Sequence, residues 1–222
     1  MADSIVVIQC AASKRPEAGH LQNSDGRKVM FVARPELAPD RPDCVYARPD
    51  DRADTGRSWR EELLRYNREP AGNPLDLLPA WQLYRRPEYE LLYRKFGPDN
   101  LYILSAGWGM IRADFLVPNY DITFSGNAEK YKRRRQRDRD TYDDFRKLPD
   151  DTAKPVVFFG GKDYVNLFCA LTNHVKSPRH VIYNAIQPPN APGCQLRKFE
   201  TRTKTNWHYE PARAFAEGRM DL

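Results

Sequence analysis

Three short apolar runs punctuate the chain: Ile5-Val6-Val7-Ile8, Leu101-Tyr102-Ile103-Leu104 and Val156-Val157-Phe158-Phe159. Each is continuous rather than alternating, the pattern of strands covered on both faces in a parallel sheet. Each also runs directly into small or polar residues: Gln9 to Lys14, Ser105 to Gly109, and Gly160 to Asp163. A fourth strand, His180 to Ile186, ends in Gln187-Pro188-Pro189. Between these runs the apolar spacing turns helical. Ser58 to Glu69 predicts a helix with Ser58 as N-cap and Glu61 closing a capping box. Pro79 to Phe96 carries Trp81, Tyr84, Leu91, Leu92 and Phe96, with Pro87 expected to kink or split it. Ala128 to Lys147 reads as a strongly charged helix. Gly161 to Val175 places Tyr164, Leu167, Phe168 and Leu171 on one core-facing side. This alternation predicts an α/β fold, a central, largely parallel sheet flanked by helices, in one domain spanning 1–222.

Residues 15–57 interrupt the pattern with prolines at 16, 35, 39, 42 and 49 and many charges. They predict a long irregular loop insertion with one short strand around Lys28 to Ala33, either a mobile lid or a plain surface excursion. Residues 198–222 form a C-terminal element containing Asn206-Trp207-His208-Tyr209.

Composition narrows the class. Of 222 residues 41% are hydrophobic and 30% charged, and a chain of this length hides roughly 70% of its unfolded surface, enough for a core. No apolar run approaches the roughly 18 residues of a membrane span, and the N-terminal run lacks a basic flank. The expectation is a soluble, cytoplasmic protein with no membrane partner. Cys10, Cys44, Cys169 and Cys194 and the four histidines show none of the close pairs that zinc sites use, so neither metal nor cofactor is expected.

Parallel sheets bind ligands where the loops after the strands converge. Those loops carry Gln9, Ser13 and Lys14 after the first strand, and Ser105 with Gly107-Trp108-Gly109 after the second, leading to Pro118-Asn119-Tyr120-Asp121. The third loop supplies Gly160, Gly161, Lys162 and Asp163. Gly160-Gly161-Lys162 fits a half phosphate cradle at a helix N-terminus or a plain turn; it lacks Walker spacing, which disfavours ATP. Trp108, between two glycines, is expected to project as a stacking ring. Asp121 is a candidate carboxylate or a simple turn cap.

The net charge of +6 concentrates in residues 130–139, where seven of ten are basic. Like charges four apart repel within a helix unless an anion neutralises them. Lys132, Arg133, Arg134, Arg135 and Arg137 are therefore expected to grip a phosphate backbone, with a solvated helix face as the alternative.

The pieces Cys10-x-x-Ser13-Lys14, Leu83-Tyr84 with Tyr89, Tyr102-Ile103-Leu104-Ser105-Ala106-Gly107-Trp108-Gly109-Met110-Ile111 and Pro118-Asn119-Tyr120-Asp121 form a recognisable series. They resemble an α/β group with C-x-x-S-K and L-S-A-x-(aromatic)-G motifs, which includes bacterial peroxide-stress DNA-binding proteins and uncharacterised phage and bacterial domains. Asn119 between Pro118 and Tyr120, Trp108 in place of Tyr, and the 15–57 insertion depart from that pattern. The resemblance implies a fold like that of the uracil-DNA glycosylases and DNA binding, and it permits cleavage of a base–sugar bond, by analogy with defence enzymes that act on modified phage DNA.

The leading expectation is an enzyme, a DNA base N-glycosylase excising a modified base from double-stranded DNA with a flipped base, or from single-stranded DNA. Asp121 would stabilise the oxocarbenium-like sugar. Lys14 would hold a phosphate, assist the departing base or act as an amine nucleophile. Gln9 and Asn119 would read the base edge, Tyr120 and Trp108 would sandwich it, and Ser13, Ser105, Gly160 and Lys162 would complete the binding site. The alternatives are a non-catalytic DNA-binding stress protein and a nucleotide- or nucleoside-processing enzyme. The oligomeric state is left open.

Overall fold

The first apolar run, β1 (Ile5–Gln9), opens a computed structural model that describes residues 4–69, 72–135, 141–201 and 203–222. The chain continues through β2 (Lys28–Val32), β3 (Cys44–Ala47), α1 (Trp59–Arg68), β4 (Leu78–Pro79), α2 (Ala80–Leu83) and α3 (Pro87–Phe96). Then come β5 (Leu101–Ser105), β6 (Gly109–Arg112), β7 (Leu116–Val117), β8 (Tyr120–Asp121), β9 (Phe145–Arg146) and β10 (Val156–Phe159). The last elements are α4 (Lys162–Leu171), β11 (Arg179–Tyr183), β12 (Gln195–Lys198) and α5 (Tyr209–Ala216).

The main sheet has seven strands in the order β12-β11-β10-β1-β5-β6-β9. All of its pairings are parallel except the β5–β6 hairpin. The three sequence-predicted apolar runs lie side by side at its centre, with Val7 level with Phe158 on one side and Tyr102 on the other. Successive side chains of β10 alternate faces. Phe158 stacks on Phe168 of α4 at 4.7 Å, while Phe159 meets Phe215 of α5 at 5.6 Å. Phe215 also stacks on Phe96 of α3. Helices thus cover both faces, which is why these strands read as unbroken apolar runs.

Local signals hold where they are strong. Ser58 and Glu61 form the expected capping box. Pro87 splits the predicted helix into α2 and α3 and serves as the first residue of α3, where its missing N–H leaves no bond unmade.

Two expectations are corrected. The short strand expected near Lys28 forms as β2, but the rest of the 15–57 insertion is less irregular than expected: β2 pairs with β3 and β8 in a second, parallel three-stranded sheet, and Val29, Phe31 and Val32 are fully buried. The charged helix over 128–147 does not form among the described residues, which hold only a short 3-10 turn at Lys130–Lys132 and strand β9. Its backbone pairs elsewhere, the Thr123 N–H donating to the Lys132 carbonyl and the Arg134 N–H to the Thr123 carbonyl, and the like charges offer no helical pairing to compete.

From β1 the main sheet grows to β5 on one side, and the chain later returns to β10 on the other. The β1/β10 boundary is therefore the topological switch point, where loops diverge and leave a crevice.

Candidate functional site

At that boundary the last residue of β1 reaches across the sheet. Gln9 Oε1 accepts the Gly161 N–H at 2.6 Å, joining the ends of β1 and β10. Gly160, just before, has no room for a side chain, because a Cβ there would lie 2.2 Å from the Phe158 ring. Above the bridge lies a cavity of about 380 Å³ lined in part by Gln9, Ser13, Arg86, Asp163 and Asn206. Its remaining wall comes from Cys10, Tyr164, Tyr209 and the Thr123–Ser125 loop. This volume lies at the small end of the usual range for small-molecule sites. Gln9 Nε2, the Ser13 hydroxyl, the Asp163 carboxylate and the Arg86 guanidinium have no hydrogen-bond partner among the described residues, so they remain available to a ligand.

The cavity floor is a phenol cluster. The Cys10 thiol meets the Tyr164 hydroxyl at 3.3 Å. Tyr89 donates to the Gln9 carbonyl at 2.7 Å and lies 3.3 Å from the Tyr209 hydroxyl. Deeper, the Gly107 and Trp108 N–H groups donate to Ser105 Oγ, and Ser105 donates to the Tyr120 hydroxyl at 2.8 Å. Tyr120 in turn shares a 2.9 Å bond with Tyr84. Burial pushes the Tyr84, Tyr89, Tyr120 and Tyr164 phenols well above their ordinary value, so they stay protonated at neutral pH.

Lys14 places its ammonium 4.2 Å from the centre of the Tyr120 ring. Desolvation lowers its pKa, partly offset by Cys10 and Asp121. Its ammonium forms neither an ion pair nor a hydrogen bond among the described residues, and it does not line the cavity.

Several sequence-predicted roles are corrected. Trp108 does not project. It is fully buried, 5.0 Å from Phe31 edge-on and stacked on Phe145 at 6.5 Å, and cannot stack on a base. The following Gly109 has φ +82° and tightens the β5–β6 hairpin, turning the ring inward. Tyr120 is 1% exposed and likewise cannot sandwich a base, and Ser105 is fully enclosed. Asp121 lies outside the cavity, paired with Lys132 at 2.8 Å. Asn119 is half-buried and Lys162 exposed, and neither lines the cavity.

Two members of the basic cluster, Lys132 and Arg134, are neutralised internally. Arg134 is 2% exposed, bonded to both oxygens of Asp144 at 2.9 and 2.6 Å and to the Ala106 carbonyl, with its guanidinium 3.7 Å from the Tyr142 ring. It cannot reach a phosphate. Lys132 is held by Asp121 and Glu129, and these partners raise its pKa against desolvation. Arg133 donates to the Gly126 carbonyl, Arg135 is exposed, and Arg137 lies outside the described residues.

In the larger hollow of about 1000 Å³ between α1, α4 and β9, the buried Arg60 is tied to Asp50 and Asp144 to Arg134, while Glu61, Asp143 and Arg146 also line it. The β1/β10 cavity keeps free donors and a free carboxylate. Sequence reasoning overlooked Arg86 there, whose only signal is its position before Pro87. Asn206 to Tyr209 stand out in the sequence but carry no sign of the site they join. Among the described residues no cluster of three or more metal-ligating side chains occurs, and no helix is long and apolar enough to cross a membrane. Comparison with known proteins finds no matching family model, curated relative or solved structure.

Proposed function

We propose that the protein hydrolyses N-glycosidic bonds, seating a nucleobase and its sugar in the cavity at the β1/β10 switch point. The observation that supports this most directly is the free carboxylate of Asp163 in a nucleoside-scale cavity, beside the free amide nitrogen of Gln9 and the Ser13 hydroxyl. Breaking the base–sugar bond develops positive charge at the anomeric carbon, and a carboxylate within reach stabilises that charge or orients the attacking water. Asp163 takes the part that the sequence suggested for Asp121, whose charge is engaged by Lys132. Gln9, with its oxygen held by Gly161, presents its amino group as a fixed donor to a base carbonyl or ring nitrogen. The fold that carries the site has a mostly parallel sheet, and its kinship with uracil-DNA-glycosylase-like folds belongs to this proposal.

DNA stays within the reading as a source of flipped bases, as does a role against modified phage DNA. The internal pairing of Arg134 and Lys132 favours a small substrate over a polymer.

The test is chromatographic detection of free base from nucleosides, nucleotides and plain, uracil-containing and hypermodified DNAs. Asp163→Asn is expected to lower kcat by about 100-fold or more, in the range of general acid–base contributions, with ligand binding retained. Asp121→Asn is expected to keep most of the activity. Loss with Asp121→Asn and retention with Asp163→Asn would return the role to Asp121. Release of no base from any substrate would sink the proposal.

A further inference from the structure

Beside the cavity lies a second recess of about 550 Å³, and the two share Arg86, Asn206 and Tyr209 as walls. Arg86 stands at the partition. The other arginines in the second recess are neutralised, Arg213 by Glu88 at 2.5 Å and Arg219 by Glu217. The Arg86 guanidinium has no ion pair and no hydrogen bond among the described residues. Its guanidinium lies 5.4 Å from the centre of the Tyr209 ring. That ring is fixed through Tyr89 to the Gln9 carbonyl, so Arg86 and the base-facing amide of Gln9 are positioned by the same strand end. Thr203, Thr205 and Asn206 add neutral polar groups to the recess, whose two carboxylates are Glu88, paired with Arg213, and Glu210.

We propose that Arg86 is a phosphate subsite, making the substrate a nucleoside monophosphate rather than a free nucleoside. This rests on the N-glycosidic reading of the adjoining cavity. The guanidinium fork matches two phosphate oxygens, a geometry that a lysine ammonium cannot reproduce. The layout separates charges as such a substrate requires: Asp163 lies in the first compartment, where positive charge develops, and Arg86 lies at the entrance to the second. His208, buried nearby, is lowered to about 4 by desolvation and by the charge of Arg86, so it adds no second cation at neutral pH. A phosphate esterified in DNA offers the same chemistry; the unpaired single guanidinium, with its neighbours neutralised, favours one phosphate.

The experiment measures Kd by calorimetry for matched nucleosides and their 5′-monophosphates, with a short oligonucleotide as the third ligand. The variants are Arg86→Ala, Arg86→Lys and the surface control Arg94→Ala. The wild type is expected to bind a monophosphate roughly tenfold or more tighter than its nucleoside, the scale of a charge-assisted bidentate contact. Arg86→Ala should bring that ratio near one, Arg86→Lys should retain part of it, and Arg94→Ala should leave it intact. Inorganic phosphate should also protect Arg86 of the wild-type chain from phenylglyoxal, read by peptide mass. An equal ratio in the wild type, a ratio preserved in Arg86→Ala, or absence of monophosphate binding overturns the subsite. Oligonucleotide bound in preference to every monophosphate assigns Arg86 to a DNA phosphate and overturns the mononucleotide. Because the ratio is a binding measurement, failure of base release sinks only the glycosidic reading, and a flat ratio alongside base release sinks only the subsite.

Discussion

Tyr120 shows how much a single hydroxyl organises here. It accepts from Ser105 and shares a bond with Tyr84, while its ring carries the Lys14 ammonium. Tyr120→Phe leaves buried oxygens at Ser105 and Tyr84 short of a partner. It should cost about 1–3 kcal/mol, read as a lower urea midpoint, and an unchanged midpoint would show that the chain of hydroxyls is dispensable. His208 makes a second residue-scale prediction. Burial lowers it to about 4 from an ordinary 6.5, so between those values the unfolded chain binds more protons than the folded one. The stability held above pH 6.5 is then lost as pH falls toward 4. His20 and His180 are lowered as well, both by desolvation first, and add to the same slope. His208→Asn should flatten the decline between pH 6.5 and 4 without abolishing it, as measured by denaturation at each pH. A slope identical to wild type would mean that His208 is solvated in the folded state.

At the scale of elements, the strands and caps were legible because their causes are local. A continuous apolar run needs cover on both faces wherever it lies, and Ser58 with Glu61 caps a helix using atoms three residues apart. The charged segment 128–147 is not legible in the same way, because its helical spacing carries no sign that Asp144 draws Arg134 into the interior. The thiols behave similarly: Cys169 and Cys194 show no sequence signal, yet α4 and the residue before β12 bring their sulfurs to 3.8 Å. A hydrogen bond from Cys169 lowers the Cys194 thiol to about 7. Under oxidised glutathione the Cys194 thiolate should attack the disulfide and release one glutathione thiolate. Cys169 should then displace the second, leaving a Cys169–Cys194 disulfide. The two cysteines are 25 residues apart, so the link is expected to add about 3.5 kcal/mol on the chain-entropy model. Non-reducing peptide mapping and a raised Tm check this, and Cys194→Ser should prevent both. Peptides that remain glutathionylated singly would show that the two sulfurs cannot meet.

For the whole molecule, one side chain ties the insertion to the main sheet. Arg60 of α1 bonds Asp50 through two nitrogens at 2.6 and 2.9 Å and donates to the Gly107 and Trp108 carbonyls at the β5–β6 turn. Removing one partner of a buried pair leaves the remainder uncompensated. Arg60→Ala should therefore lower stability by about 3–5 kcal/mol and move the first cut in limited proteolysis into residues 15–57. A wild-type digestion pattern would mean that the remaining contacts, among them the β2–β8 pairing and Phe31 against Trp108, hold the insertion without Arg60. The amino-acid sequence by itself determined the α/β class, the three central strands, the proline break before α3, the strand end at which Gln9 stands and the turn that leads to Asp163 in α4. Only the tertiary structure decided that Trp108 and Tyr120 face inward, that Arg134 and Asp121 are engaged, and that Arg86 and Asp163 share a cavity. The division follows from range. Strand and cap signals are set by neighbours along the chain, whereas the direction of an aromatic ring or the freedom of a charge depends on groups that only folding brings together, such as Asp144 beside Arg134 and Tyr209 beneath Arg86.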